Sequence, residues 1–375
     1  MTLADAIPHD LIQALSRLRW LTVIARSSTF QFRAQVPDVA AISKTLNVRY
    51  LMAGTVERQG QALIVTAELS DCQSGAVIWS DQISTPLAGV HELRAELAAR
   101  VVSSLEVYIP LNEARIARLS VSENLDSWPN YHLGLQHMYR FTPEANAKAT
   151  GFFEKAAAQD PGFARAYAGL SFTNFQTAFM KFGDAPQVAA LNSKRFAERS
   201  IELDPLDPFS NFTMGRSHWL QGDLESGQDW LDRAIALSPN YAQGHYARGF
   251  TDMLACRSTS ARHHVDTAFL LSPLDQFVYA MLGTRAMSLM VDGEYDAASV
   301  WADKAARAPG AHFLIAMIAV LTYALSKNQT MADYWSANVR HRRPDANQAH
   351  FFSSFPFADQ NIRHRVSDAF VQCGF

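Results

Sequence analysis

Amphipathic helices recur at a nearly constant interval through the second two thirds of the chain. The segments FAERSIELDP, DWLDRAIALSP and HVDTAFLLSP place apolar or alanine residues three and four positions apart, the pattern of a helix with one buried face. Each segment ends in a proline, which cannot continue a helix. The prolines that mark the repeat are 44, 34, 34, 36 and 35 residues apart: Pro161, Pro205, Pro239, Pro273, Pro309 and Pro344. This interval predicts a series of helix pairs.

Small residues recur at fixed positions within the interval, where they let two helices approach closely. Glycines lie ten residues after a proline and alanines twelve before one: Gly215, Gly249 and Gly283, and Ala149, Ala261 and Ala297. Over residues 125–345 the pattern resembles the tetratricopeptide (TPR) repeat. The resemblance implies an all-α superhelix of five to six helix pairs, with a capping helix or tail over 346–375. An irregular helical bundle, the alternative, would have to produce two consecutive spacings of 34 residues by chance.

Two repeats carry additional residues. The first has about three more around RFTPEAN, and the second has about ten more around MKFGDAPQ. We expect both to have longer loops between their helices.

The first 120 residues follow a different period. DLIQALSRLRW predicts a helix, LTVIARSSTF a strand, and DVAAISKTLN a short helix opened by Asp38 as its N-cap. YLMAGTVERQG, QALIVTAELSD and AVIWSDQIS predict three strands, and VHELRAELAARVVSSLEVYI a helix that covers the sheet. The predicted fold class is therefore α+β overall: a small α/β domain over 1–110, a linker over 111–124, and the helical array.

The order of these segments resembles a family of bacterial regulators in which a TolB-like α/β domain precedes TPR repeats. The resemblance rests on ALSRLRWLTVIARSSTF, LNVRYLMAGTVERQGQALIVTAELSDCQSGAVIWSDQI and SENLDSWPNYHLGLQHMYRFTPEAN. It implies a winged-helix DNA-binding domain or a class III nucleotide cyclase domain in front, and neither is in this sequence. It also implies an apolar strand before the first helix, but in this sequence Met1 stands where that strand should already have ended. We therefore expect an α/β domain that lacks its first strand, exposes a sheet edge at Leu21–Ala25, and self-associates through that edge.

Charge and composition restrict the partners. The 375 residues include 33 Lys and Arg and 36 Asp and Glu, a net charge of −3, which argues against direct nucleic-acid binding or an anionic membrane surface. No apolar stretch is long enough to span a bilayer, and the acidic start is unlike a signal peptide. The three cysteines, Cys72, Cys256 and Cys373, are far apart. These features predict a cytoplasmic protein whose cysteines are reduced.

No motif for catalysis or cofactor binding is recognisable. The sequence lacks GxGxxG, GxxxxGK[ST], GxSxG and HExxH, so nucleotide, acyl and zinc chemistry have no evident site. We therefore predict no catalytic, cofactor-binding or metal-binding residue, and a protein that is not an enzyme.

The aromatic residues of the array indicate a binding surface. The 34-residue register places eight residues near the concave face that the first helix of each pair lines: Phe209, Phe212, Arg216, Trp219, Tyr246, Phe250, Met253 and Phe277. Apolar and aromatic side chains there would favour a protein partner or peptide that presents a hydrophobic segment or helix. The alternative is that these residues pack between repeats as core, or against the α/β domain.

Two functional hypotheses remain open. The first is a non-catalytic protein-interaction module, a TPR scaffold of the transcriptional-regulator type. The second is the sensory or regulatory part of a class III adenylate or guanylate cyclase. A component of the cell envelope, like the exported proteins with TolB-like domains, is opposed by the absence of a signal segment.

Overall fold

The computed structural model describes residues 3–32, 38–119, 126–273 and 275–375. The chain divides into two compact units, Met1–Ile116 and Ala117–Phe375. The fold class is α+β, as predicted: a small unit that contains a sheet is followed by an all-α superhelix of the TPR type.

The first unit follows the predicted order of elements, with one exception described below. Its helices and strands are α1 (Leu3–Leu15), α2 (Arg26–Thr29), α3 (Val39–Leu46), β1 (Tyr50–Gln59), β2 (Ala62–Asp71), β3 (Ala76–Pro86) and α4 (Val90–Leu119). The strands form an antiparallel sheet in the order β1-β2-β3. The Asp38 side chain accepts a hydrogen bond from the Ala41 N–H and caps α3, as predicted. Gly60 allows the tight turn between β1 and β2 because its φ is +63°.

One face of the sheet carries the core of this unit. Alternate residues of β2, from Leu63 to Leu69, are at most 5% exposed, as expected for a strand with one buried face. They form one apolar cluster with Leu11 of α1 and with Leu97 and Val101 of α4. The helices α1 and α4 therefore supply the apolar cover of this face.

The predicted strand at Leu21–Ala25 is absent. In the described part of the chain the sheet consists of β1, β2 and β3, and residues 21–25 are irregular. Leu21 and Val23 pack their side chains against the core without pairing their backbone, so β-branched composition alone was misleading. The expected sheet edge at this segment does not form, and self-association of the α/β domain stays a prediction.

A polar network joins the sheet to the end of α4. The buried Asp71 carboxylate accepts a hydrogen bond from Asn112 Nδ2 at 3.0 Å, and Tyr50 donates its hydroxyl proton to Glu113 Oε1 at 2.6 Å. Burial and the Glu113 hydrogen bond raise the pKa of Tyr50. Residues 111–119, the first part of the predicted linker, are the last turns of α4.

The second unit contains consecutive pairs of helices. The pairs are α5 (Ser127–Met138) with α6 (Pro143–Gln159), α7 (Ala164–Met180) with α8 (Pro186–Leu203), α9 (Pro208–Leu220) with α10 (Leu224–Leu237), α11 (Ala242–Leu254) with α12 (Ser258–Leu271), α13 (Val278–Val291) with α14 (Tyr295–Arg307), and α15 (Phe313–Leu325) with α16 (Gln329–Arg342). Two further helices follow, α17 (Gln348–Ser354) and α18 (Gln360–Gln372). Each helix packs on its partner and on the next pair. Within the described ranges, no helix combines the length and the apolar character that crossing a bilayer requires.

The repeated prolines end the second helix of each pair. Each lies two residues beyond the last helical residue, as Pro205 does after Leu203 and Pro239 after Leu237. The residue before the proline is extended: Asp204 and Ser238 have ψ values of 93° and 92°. Proline disfavours the helical conformation in the residue before it, so its position determines the end of each pair.

The additional residues of the second repeat lengthen its helices more than its loop. The helices α7 and α8 have 17 and 18 residues, whereas α9 and α10 have 13 and 14. The loop between α7 and α8, residues 181–185, has only two more residues than the loop 221–223 between α9 and α10. The loop is longer, as expected, but most of the additional residues lie in the helices, and α7 gains about one helical turn.

The repeated glycines allow close helix contacts in two pairs. A Cβ atom at Gly215 would lie 2.8 Å from the carbonyl oxygen of Gly227, and one at Gly249 would lie 2.8 Å from that of Ala261. Gly283 differs, because its Cβ would meet Ile318 of α15 at 3.3 Å. In the same repeat the buried alanine is Ala298 rather than the predicted Ala297.

We predict that Gly215→Ala lowers the free energy of unfolding by about 1–3 kcal/mol, because the added methyl group forces α9 and α10 apart. The control is Gly151→Ala in α6, where no atom lies within 4 Å of the new Cβ. This change should raise stability by about 0.5–1 kcal/mol, since alanine favours a helix over glycine. Urea unfolding of both variants measures the difference, and equal effects would contradict the close approach at Gly215.

Candidate binding site at the centre of the helical array

The eight residues predicted to line a groove lie together, but they are buried. Four are on α9, three are on α11, and Phe277 directly precedes α13. Each is at most 4% exposed: Phe209, Phe212, Arg216, Trp219, Tyr246, Phe250, Met253 and Phe277. The rings of Trp219 and Phe250 stack at 4.1 Å between centroids. The prediction of an open, partner-accessible groove at these residues is therefore corrected, because they form an interior.

The interior closes because distant repeats meet. The rings of Tyr139 and Phe141, which follow α5, lie 5.3 and 5.7 Å from the ring of Phe277. Phe141 also stacks on His312, the residue before α15, at 5.5 Å. The backbone of Phe141 has a φ of 51°, a left-handed conformation that a bulky residue seldom adopts. The inner faces of the first pair and of the fifth and sixth pairs are therefore in direct contact.

The C-terminal segment, residues 348–358, covers the C-terminal ends of α7, α9 and α11. Trp219 Nε1 donates to the carbonyl oxygen of Ser354 at 3.3 Å, and Ser354 Oγ donates to that of Phe179 at 2.6 Å. The backbone N–H of Ala358 donates to the carbonyl oxygen of Leu254 at 2.9 Å. The ring of Phe355 lies 5.6 Å from that of Phe250. The predicted binding face thus holds an apolar segment of the chain itself.

A small cavity remains at the centre of this interior. Its volume of about 20 Å³ has room for about one water molecule. Apolar side chains form most of its wall, and five residues with polar side chains line it: Arg216, Tyr246, Tyr279, Thr284 and His312. We call it the central cavity.

Burial shifts the pKa values of three residues that line the central cavity. Burial lowers the pKa of Arg216 to about 10, so its guanidinium is charged at neutral pH. Burial, with a smaller contribution from Arg342, lowers the pKa of His312 to about 3, so this imidazole is neutral. Burial also raises the pKa of Tyr246 to about 12.

Several residues of the site were missed by the sequence analysis. Phe179 lies in the additional turn of α7, and its ring packs on Trp219 and Phe355. The additional residues in the second repeat were the signal for it, but they were assigned to a loop. Tyr279 and His312 lie six and three positions after their prolines, off the register of the eight predicted residues, so extending that register would not have found them.

The comparisons with known proteins support the fold more than the activity. No protein-family model matches the chain. A curated protein named "Putative adenylate cyclase 3", from Rhizobium meliloti (strain 1021), is 24% identical over 211 residues. The match covers 56% of this chain but only 36% of that protein.

Solved structures of helical proteins resemble the chain at low sequence identity. The crystal structure of the APC/C hetero-tetramer Cut9-Hcn1 has a TM-score of 0.51 and 13% identity, over 76% of this chain and 48% of that one. A thermophilic TPR protein of Thermus thermophilus, TTC0263, has a TM-score of 0.41 and 14% identity, over 54% of this chain and 99% of that one. At these identities the likeness concerns the fold alone.

We predict that Trp219→Ala and Phe250→Ala each lower the free energy of unfolding by about 3–5 kcal/mol, because each leaves a cavity in a closed core. Phe269→Ala is the control, since this side chain is 42% exposed and its loss should change stability by about 0.5 kcal/mol or less. Guanidinium unfolding measures all three. Small decreases in the free energy of unfolding for Trp219→Ala and Phe250→Ala would contradict the closed core and favour the predicted open groove.

We also predict that His312 makes stability depend on pH. Its folded pKa is about 3, below the ordinary 6.5, so the unfolded chain takes up this proton first. The contribution of His312 to the free energy of unfolding is fully present above about pH 6.5. It is lost as the pH falls towards the pKa of the folded state, and the loss is about 2 kcal/mol at pH 5. His312→Phe retains the ring and removes the titration. Urea unfolding at pH 7 and pH 5 should show a smaller loss in this variant, and an equal loss would contradict the assignment.

Proposed function

We propose that the chain is a non-catalytic protein-interaction module of a cytoplasmic bacterial signalling protein. In this proposal the helical array holds an apolar segment of a partner protein. The α/β unit, a TolB-like domain, receives or transmits the signal. The observation that carries the proposal is the segment 348–358, which the array already holds on its inner face.

The contacts of the C-terminal segment are those that a bound peptide would make. Phe351 and Phe355 are at most 1% exposed, and the hydrogen bonds at Ser354 and Ala358 use backbone groups of the array. A partner segment with aromatic residues at the same spacing could replace these contacts. Exchange of one segment for the other would then have a small net free energy, because similar apolar area is buried in both states.

The similarity to the cyclase supports one of the two settings considered above. It favours a module that belongs with a nucleotide cyclase over one that belongs with a DNA-binding regulator, although the matched region is about a third of that protein. The net charge of −3 supports a protein partner rather than nucleic acid or an anionic membrane.

The genomic sequence upstream of the codon for Met1 distinguishes the settings. An in-frame cyclase domain would support the cyclase setting, and an in-frame winged helix would support the transcriptional one. An in-frame stop codon directly upstream would contradict both settings as parts of one chain and leave an independent adaptor.

We predict that loosening the C-terminal segment lets the array bind the same segment supplied as a peptide. The variant Phe351→Ala/Phe355→Ala should bind a fluorescein-labelled peptide of residues 346–359, because the aromatic contacts of its own segment are lost while the receiving face is intact. The wild-type chain should bind the peptide at least tenfold more weakly, since its face is occupied. Fluorescence anisotropy measures binding, and circular dichroism checks folding.

Two controls make the result specific. Phe352→Ala changes a half-buried residue of the same helix and should behave like the wild type, and a peptide with alanine at 351 and 355 should not bind. The single variant Phe355→Ala is measured in parallel, in case the double variant does not fold. The proposed function would be contradicted if the folded double variant did not bind the peptide of residues 346–359. It would also be contradicted if the variant bound this peptide and the alanine peptide equally well.

A further inference from the structure

The interior of the helical array contains a positive charge, Arg216, for which the described residues supply no ion-pair partner. Arg216 is 2% exposed, and within the described residues its Nε and Nη1 atoms have no hydrogen-bond acceptor. A guanidinium carries five N–H donors in a planar fork. A buried charge without an opposite charge is strongly unfavourable, so this position requires an explanation.

Aromatic rings account for only part of the environment of Arg216. Its Cζ atom lies 4.1 to 5.3 Å from the centroids of four rings: Phe172, Phe175, Phe212 and Trp219. Cation–π contacts stabilise the charge, but a ring face does not satisfy a guanidinium donor that lies at the edge of a cavity.

No carboxylate among the described residues forms an ion pair with Arg216. The buried Asp275 is the obvious alternative, but its carboxylate accepts the backbone N–H of Phe277 at 2.8 Å. Burial raises the pKa of Asp275, which disfavours its charged form. Among the described residues, therefore, no carboxylate pairs with this arginine.

Two further polar groups of the central cavity are also unpartnered in the described part of the chain. Tyr279 Oη and His312 Nδ1 are buried and lack hydrogen-bond partners, and their rings lie 5.5 Å apart. The Thr284 hydroxyl, in contrast, donates to the Ala280 carbonyl. Arg216, Tyr279 and a neutral His312 all carry hydrogen-bond donors and line one cavity, and the residues that line it include no carboxylate.

We propose that the central cavity binds one monoatomic anion of about the size of chloride, held by Arg216 with Tyr279 and His312. The donors match an anion that only accepts hydrogen bonds, and the charge matches the unpaired guanidinium. The volume of about 20 Å³ is sufficient for a single atom of this size.

The anion would stabilise the closed interior. Phe355 of the C-terminal segment lines the same cavity, so the filled cavity favours the state in which this segment is in place. The site does not depend on the proposed partner, and its test needs no partner.

The experiment is thermal unfolding of the full chain in sodium chloride and in sodium gluconate at equal ionic strength. Gluconate is too large for the cavity and controls for screening. Above the dissociation constant, each tenfold increase in chloride should raise the Tm by about 3 °C, because the anion binds only the folded state. An equal rise in gluconate would overturn the proposal.

Variants assign the effect to the cavity. Arg216→Met should remove the dependence on chloride, and Tyr279→Phe should weaken it without loss of folding, because the lost hydroxyl has no partner in the described chain. Arg199→Met, at an exposed arginine, should behave like the wild type. If Arg216→Met does not fold, Tyr279→Phe tests the site alone. A Tm that depends on chloride in this variant as strongly as in the wild type would contradict the site.

Crystals grown in sodium bromide give a direct measurement. An anomalous bromide peak within hydrogen-bonding distance of Arg216 is the expected result. A water molecule in the cavity without an anomalous signal would overturn the proposal.

Discussion

Aromatic packing across the axis of the helical array is the interaction on which the second unit depends. Phe141 from the first pair meets Phe277 and His312 from the fifth and sixth, and the left-handed backbone at Phe141 is consistent with this contact being strongly favoured. Once these faces meet, the groove that the separate repeats would form becomes an interior. The burial of Arg216, the small central cavity and the place of the C-terminal segment all follow from that contact.

Much of the array could be predicted because its signals are local. A proline ends a helix through its own geometry and that of the residue before it, so the prolines place the pairs whatever lies around them. The glycines at 215 and 249 were equally informative because they act within one pair. The longer loop predicted in the second repeat accounts for only two of the additional residues, because additional residues extend a helix as readily as they lengthen a turn.

The candidate site was harder to predict because its nature depends on distant contacts. The register places Trp219, Phe250 and Phe277 near the concave face, but it contains no information on whether that face is open. Phe141, Phe179 and Phe355, which are far apart in sequence, close this face through their ring contacts. The same limit applies in the first unit, where Leu21–Ala25 has the composition of a strand but no neighbouring strand among the described residues with which to pair.

The contact between the two ends of the array has a consequence for how the protein folds. Linear repeat proteins can nucleate anywhere and propagate, because each repeat touches only its neighbours. Here Ser354 bonds to Phe179 across 175 residues, and contacts of such separation slow folding. During synthesis the early repeats emerge first, and they complete their packing only after residues 348–358 have left the ribosome. Until then their aromatic inner faces stay accessible to chaperones.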